Sequence, residues 1–196
     1  MKFLDRRLRD ARIARCRPYI RPGDALLDVG CADGEMLRRL RGLISYGVGI
    51  EPTLDARREG DGYVLLPGRF PDAVPSAATF DVITLLAVLE HMPPAEQARL
   101  AGTCANLLAT GGRIVITVPS PRVDDILHLL IRLRLIEGMG VHEHYGFRPG
   151  LTPGLFPAPT YRMAAHRRFQ LGLNNLFVFE KVADLAPAAA GPTAPP

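Results

Sequence analysis

The residues whose types and spacing could do chemistry gather first in Ala25–Gly34, read as ALLDVGCADG. A loop that cradles a pyrophosphate needs G-x-G-x-x-G, so that bare backbone can approach the phosphates. Here Gly30 and Gly34 are spaced G-x-x-x-G, and Asp28 and Asp33 flank them. Fixed negative charge repels a pyrophosphate and suits a ligand that carries a cationic amine or sulfonium. Glu51 follows about twenty residues later, where a carboxylate can accept two ribose hydroxyl hydrogens. An acid at a helix start, favourable to the dipole, is the other reading of Glu51. Three histidines could serve as proton acceptors near neutrality, His91, His142 and His144. His142 and His144 flank Glu143, but H-x-H alone lacks further ligands, so no metal site is expected. His128 falls inside an apolar run and reads as packed.

These residues need elements to position them. Ala25-Leu26-Leu27 and Val29 form a short apolar run ended by glycine, the pattern of a strand buried on both faces. Glu35–Arg41 then carries Met36, Leu37 and Leu40 at helical spacing. Before them, Phe3–Arg17 reads as a basic helix with Leu4, Leu8 and Ala11 as its apolar stripe, stopped by Pro18. Tyr46–Ile50 is a second strand, ended by Glu51. Thr53–Arg58 reads as a short helix broken by Gly60-Asp61-Gly62, and Tyr63–Leu66 as a third strand. Phe80–Leu86, FDVITLL, has the β-branched and aromatic content of a central strand. Pro93-Pro94 starts a helix, which Thr110-Gly111-Gly112 ends as a glycine cap. Arg113–Val118 is a fifth strand. Ser120 caps a further helix that runs through Ile126–Ile136. Residues 138–166, rich in Gly, Pro and rings, read as an irregular substrate lid. Arg168–Leu171 and Leu176–Lys181 read as a hairpin around Gly172-Leu173-Asn174-Asn175. One domain over 1–183 follows, with an Ala/Pro-rich disordered tail at 184–196.

The first motif, Glu51, the passage FDVITLLAVLEH (80–91) and the Gly111-Gly112 strand occur in an order that resembles class I S-adenosylmethionine-dependent methyltransferases. The wording LLDVGCADG is most similar to their small-molecule, type 11/12-like branch. The resemblance implies a three-layer doubly wound α/β fold, with a mostly parallel seven-stranded sheet and a C-terminal antiparallel hairpin. It also implies S-adenosylmethionine as cofactor, released as S-adenosylhomocysteine. Cofactor contacts are expected from Asp28, Gly30, Cys31, Asp33 and Gly34, from Glu51 and Pro52 at the ribose, and from Leu86 and Ala87 at the methionine end. His91 would stand near the transferred methyl. The family's acid after the third strand has no clear counterpart in Gly68-Arg69-Phe70-Pro71-Asp72. Adenine is therefore assigned to the backbone of Arg69 and Phe70, with Phe70 as an apolar wall and Asp72 as the alternative. The expected reaction is O-methylation of a small-molecule or glycan-like acceptor, with His91, His142 or His144 as base.

Bulk properties fit that reading. The chain has 196 residues, 47% hydrophobic and 22% charged, with net charge +4, ordinary values for a globular domain. Much of the basic excess sits at Arg6, Arg7, Arg9, Arg12, Arg15, Arg17 and Arg21. No aromatic residue interleaves with them before Tyr19, so they read as a solvated helix face and no nucleic-acid partner is expected. Three scattered cysteines form no disulfide framework, which fits a cytoplasmic setting. No run is long enough to span a membrane. The composition leaves oligomeric state open. An RNA or other nucleic-acid methyltransferase and a non-catalytic S-adenosylmethionine-binding protein are the alternatives. The glycine spacing disfavours a nicotinamide dehydrogenase.

Overall fold

The structure, a computed structural model, describes residues 3–120 and 148–184. The expected helix after Ser120, His128, the two lid histidines His142 and His144, and nearly all of the tail lie outside the described residues. In chain order the elements are α1 (Phe3–Cys16), β1 (Ala25–Val29), α2 (Glu35–Leu40), β2 (Tyr46–Glu51), β3 (Arg58–Gly60), β4 (Tyr63–Pro67) and β5 (Phe80–Leu86). There follow α3 (Pro94–Leu107), β6 (Leu108–Pro119), a single helical turn (Thr152–Leu155), β7 (Tyr161–Phe169) and β8 (Asn174–Lys181).

The strands form one eight-stranded sheet in the order β3-β4-β2-β1-β5-β6-β8-β7. β4, β2, β1, β5 and β6 run parallel, while β3, β8 and β7 pair antiparallel to their neighbours. The chain leaves β1 toward β2 on one side and returns to β5 on the other. That reversal makes a crevice at the carboxyl ends of β1 and β5, where open α/β sheets bind ligands.

Alternation along the buried strands divides the core in two. Leu27, Ile83, Leu85, Ile114 and Ile116 meet Leu100, Cys104 and Ala105 of α3 on one face. Leu26, Val82, Val115, Leu176 and Val178 meet Ile13 and Cys16 of α1 and Met36, Leu37 and Leu40 of α2 on the other. Ile13 and Cys16 are the buried residues of α1, while the expected Leu8 and Ala11 are only half-buried and the side chain of Leu4 lies outside what is described. A buried ion pair anchors the end of this helical region. Arg113 on β6 donates two hydrogen bonds to Asp24, at 2.8 and 2.9 Å, and a third to the Tyr19 carbonyl at 2.8 Å.

Three further expectations are corrected. Residues 53–58 form no helix; instead Arg58–Gly60 folds back on Tyr63–Leu65 as an eighth, edge strand through the Gly60-Asp61-Gly62 turn. Helix α3 ends at Leu107, because Leu108 is extended and buried against Phe80, so Thr110–Gly112 form an irregular stretch within β6 and no helix cap. β7 begins at Tyr161 and takes over 161–166 from the expected lid. The reason is β8, buried on both faces, which requires a long edge partner. Ser120 donates to the Gly172 carbonyl and accepts from Asn175, tying the end of β6 to the hairpin; the helix it is expected to cap lies outside the described residues.

Candidate functional site

Strand β1 ends at Val29 and the chain turns through a left-handed Gly30, φ +73°. A Cβ at this position would stand 2.5 Å from Val88 Cγ2, so glycine is needed both for the turn and for the approach of the segment after β5. Gly34, φ +75°, begins α2 and lies close against Leu65. The loop between them is not a phosphate cradle. Gly30 N and Cys31 N both donate to the Ile50 carbonyl, and Gly34 N donates to the Cys31 carbonyl. Ala32 N donates to Glu51 Oε2 at 3.1 Å. With the amides of Gly30, Cys31, Ala32 and Gly34 already spent, the loop offers mainly carboxylates and a shaped surface to a ligand.

That surface bounds a cleft of about 370 Å³ lined by Asp28, Gly30, Cys31, Leu86 and Met36, with Arg9, Arg12 and Ile13 of α1 on the opposite wall. A second depression, about 470 Å³, lies at Leu37, Arg41 and Asp61, near the amino ends of β2 and β4 and away from the crevice. Asp28 is only 3% exposed. It accepts a 2.7 Å hydrogen bond from Thr84 Oγ1. Burial pushes its carboxyl up to about 7; the Thr84 bond opposes that rise and the Glu51 charge adds to it. The Cys31 thiol is pushed up to about 12, by burial and then by the Asp28 and Glu51 charges, which makes it a poor nucleophile. The cleft therefore joins a buried, weakly ionised carboxyl on one wall to guanidinium groups on the other.

The remaining residues singled out from the sequence divide around this cleft. Asp33 does not line it; its carboxylate takes 2.9 and 3.1 Å hydrogen bonds from Arg9, because α1 lies across the loop. Glu51 stands at the tip of β2 and binds Ala32 N, Thr53 N and Thr53 Oγ1. Oε1 accepts both Thr53 bonds and Oε2 accepts one, so Oε2 keeps a lone pair for a further donor. Pro52 continues that turn. Gly68 N donates to the Glu51 carbonyl, bringing the start of the Gly68–Phe70 segment beside this tip. Arg69 is exposed and Phe70 is partly buried against the α3-side core. Leu86 lines the cleft, and Ala87 follows it in a left-handed conformation, φ 58°, with its N–H on the Thr117 carbonyl. His91 is exposed in a 3-10 turn, Leu89–His91, and is not among the lining residues. Arg9 and Arg12 were missed as site residues. Their signal was the i, i+3 spacing beside Ile13, which an arginine-rich helix does not distinguish from a solvated face.

A family model described as a methyltransferase domain matches residues 2–152. The chain belongs to the methyltransferase domain family. Among curated proteins, this methyltransferase-domain chain is similar to the ubiquinone biosynthesis O-methyltransferase of Burkholderia multivorans. The two are 29% identical over 149 residues, covering 69% of this chain and 63% of that protein. The chain spans less than two thirds of the length of the curated relatives first matched. Among solved structures it is similar to magnesium protoporphyrin IX methyltransferase from Synechocystis with bound SAH. The TM-score is 0.62 at 15% identity, over 92% of this chain and 88% of that one. It is also similar to the N-methyltransferase NodS from Bradyrhizobium japonicum. There the TM-score is 0.61 at 14% identity, over 90% of this chain and 96% of that one. Neighbours with such different names establish the fold and leave the acceptor open. Among the described residues, no helix is long and apolar enough to cross a membrane.

Proposed function

We propose that this chain is an S-adenosylmethionine-dependent methyltransferase that methylates a hydroxyl of a small-molecule acceptor. The observation that carries the reading is the pairing of opposite charges across the cleft, Asp28 on one wall and Arg9 and Arg12 on the other. An amino-acid end group carries an ammonium and a carboxylate, and such a cleft complements both. Asp28 accepts from the ammonium, and its carboxyl gains a cation that offsets its burial. The guanidinium groups of Arg9 and Arg12 face the carboxylate, Arg9 also holding Asp33. Glu51 receives a ribose hydroxyl on the lone pair left at Oε2, and Pro52 shapes the same turn. Gly30 and Cys31 provide the floor, Leu86 and Ala87 the wall beside the sulfur, and the Arg69-Phe70 segment the adenine side. Asp33 and Gly34 support the loop from behind.

When bound, this cofactor supplies a methyl made electrophilic by its sulfonium and leaves as S-adenosylhomocysteine. The protein's own contribution is alignment and the exclusion of water, which account for much of the rate in such transfers. Deprotonation of the acceptor hydroxyl falls to a histidine, His91, His142 or His144. O-methylation is favoured by the similarity to relatives named as O-methyltransferases.

Calorimetry with S-adenosylhomocysteine tests the reading. The wild-type chain binds it and does not bind NAD, and Asp28→Ala and Glu51→Ala each weaken binding at least tenfold while keeping the circular dichroism spectrum. Wild-type affinity in both variants would overturn it.

A further inference from the structure

Resting on the methyl-transfer reading above, we propose that Thr84 is a positioning residue that sets the preference for a ligand with a free amino group: its hydroxyl holds one oxygen of Asp28 and so presents the other to an ammonium in the cleft. Thr84 touches no ligand and acts only through Asp28. The two residues are register partners on the neighbouring strands β1 and β5. Leu26 and Val82, two positions earlier on the same strands, face the α1 and α2 side of the sheet. Asp28 and Thr84 therefore share that face by strand alternation. Asp28 lines the cleft, whereas Thr84 does not and is 0% exposed.

A hydroxyl at this place calls for a reason. Val82, Ile83 and Leu85 of the same strand are fully buried, and valine would suit the strand as well as threonine does. Thr84 Oγ1 lies 2.7 Å from Asp28 Oδ1 and 3.3 Å from the Leu27 carbonyl. It has one proton to give. The shorter distance is that of a charge-assisted bond to an ionised carboxylate. Among the described residues this is the one hydrogen bond of the Asp28 side chain, so Oδ2 is left for a donor from the cleft. When the carboxyl is protonated, the hydroxyl turns its proton to the Leu27 carbonyl and the stronger bond is lost. The hydroxyl thus favours the charged form, which is the form that binds an ammonium.

The other ionisable groups around Asp28 do not supply this. Burial and the Glu51 charge at the tip of β2 oppose ionisation, and the Thr84 bond is the influence against them. The thiols of Cys16 on α1 and Cys31 on the loop are kept neutral by burial. Asp33 is taken by Arg9, and Glu35 of α2 by Arg38 and Arg39. Arg9 and Arg12 of α1 stand on the opposite wall, where they face the ligand's carboxylate.

The test is calorimetry on the full chain from pH 6 to 8.5, with S-adenosylhomocysteine and its analogue lacking the α-amino group. In the wild type, affinity for S-adenosylhomocysteine should rise with pH and that for the analogue should not. Thr84→Val removes the bond to the charged form, so the profile should move to higher pH by about one unit. At pH 7 this variant should bind S-adenosylhomocysteine about fivefold more weakly, and at pH 8.5 within about twofold of the wild type. The analogue should stay within about twofold throughout, and Thr84→Ser should keep the wild-type profile. NMR of the isotope-labelled Asp28 carboxyl in the free protein should show its titration moved to higher pH in Thr84→Val, with Thr84→Ala as the second variant where valine folds poorly. A loss independent of pH, an equal loss for the analogue, or an unmoved Asp28 titration would overturn the proposal, since a merely structural threonine gives those results. Failure of the wild type to bind S-adenosylhomocysteine at any pH would instead overturn the reading on which it rests, and the carboxyl titration would still decide whether Thr84 governs Asp28.

Discussion

Asp28 is the side chain whose protonation matters most to the cleft. Its carboxyl, pushed up to about 7 by burial, is raised above its unfolded value near 3.9. The folded protein therefore prefers the protonated form. The associated stability is fully present below about pH 4 and is lost as pH rises through about 7. Asp28→Asn should remove that loss, making the variant more stable than the wild type at pH 8, on the order of 3–4 kcal/mol, a gain that shrinks to about 1 kcal/mol at pH 4.5. Urea unfolding at the two pH values measures this. Ligand affinity runs the other way. If the ionised carboxylate holds the cofactor's ammonium, affinity should rise about tenfold between pH 6 and 8 in the wild type. It should stay flat in Asp28→Asn when followed by calorimetry. Gly30 gives a steric test at the same scale. Gly30→Ala forces a side chain into a left-handed turn and into Val88. It should lower the melting temperature and abolish S-adenosylhomocysteine binding, because the strain falls on the segment that borders the cleft.

The elements around the cleft are held by unequal forces. Helix α1 brings Arg9 and Arg12 to the site, and its partly exposed pairs, Arg9–Asp33 and Arg39–Asp10, contribute at most about 1 kcal/mol each. Its firm anchor lies beyond its C-terminal end. Arg113 and Asp24 are both buried, and Arg113 also holds the Tyr19 carbonyl. Arg113→Met leaves the Asp24 carboxylate buried without its cation and should cost about 3–5 kcal/mol in chemical unfolding. The same change should weaken S-adenosylhomocysteine binding, since it frees the segment that carries α1. Much of this element level was legible in advance. The apolar runs of β1 and β5 were read at their true limits, because a buried parallel strand must be apolar on both faces. The misread elements were those whose form depends on a partner, β3 on the Tyr63–Leu65 edge and β7 on β8.

For the molecule as a whole, the sheet order concentrates the candidate site groups at one end. Glu51, Gly30 and Leu86 come from three different strands or their tips, and the parallel register aligns them. A ligand bound there bridges many strands and should stabilise the fold globally. With S-adenosylhomocysteine at a hundred times its dissociation constant, linkage supplies about 2.7 kcal/mol, which for a chain of this length shifts the melting temperature upward by roughly 5–10 °C. Differential scanning fluorimetry reads this directly, and NAD at the same concentration should produce no shift.

The amino-acid sequence by itself determined the order of strands and helices over most of the chain, the glycine turn, and the acids at 28 and 51. Each of these follows from local chemistry, an apolar run, a residue free to adopt positive φ, or a carboxylate at a strand end. It also carried the family, since the motifs stand in order along the chain. Only the tertiary structure decided which arginines of α1 turn inward, that Asp33 is neutralised by Arg9, and that the loop amides are consumed by Ile50 and Glu51. Those facts depend on contacts between residues far apart in the chain, and no periodicity or spacing encodes which of several equivalent side chains will meet.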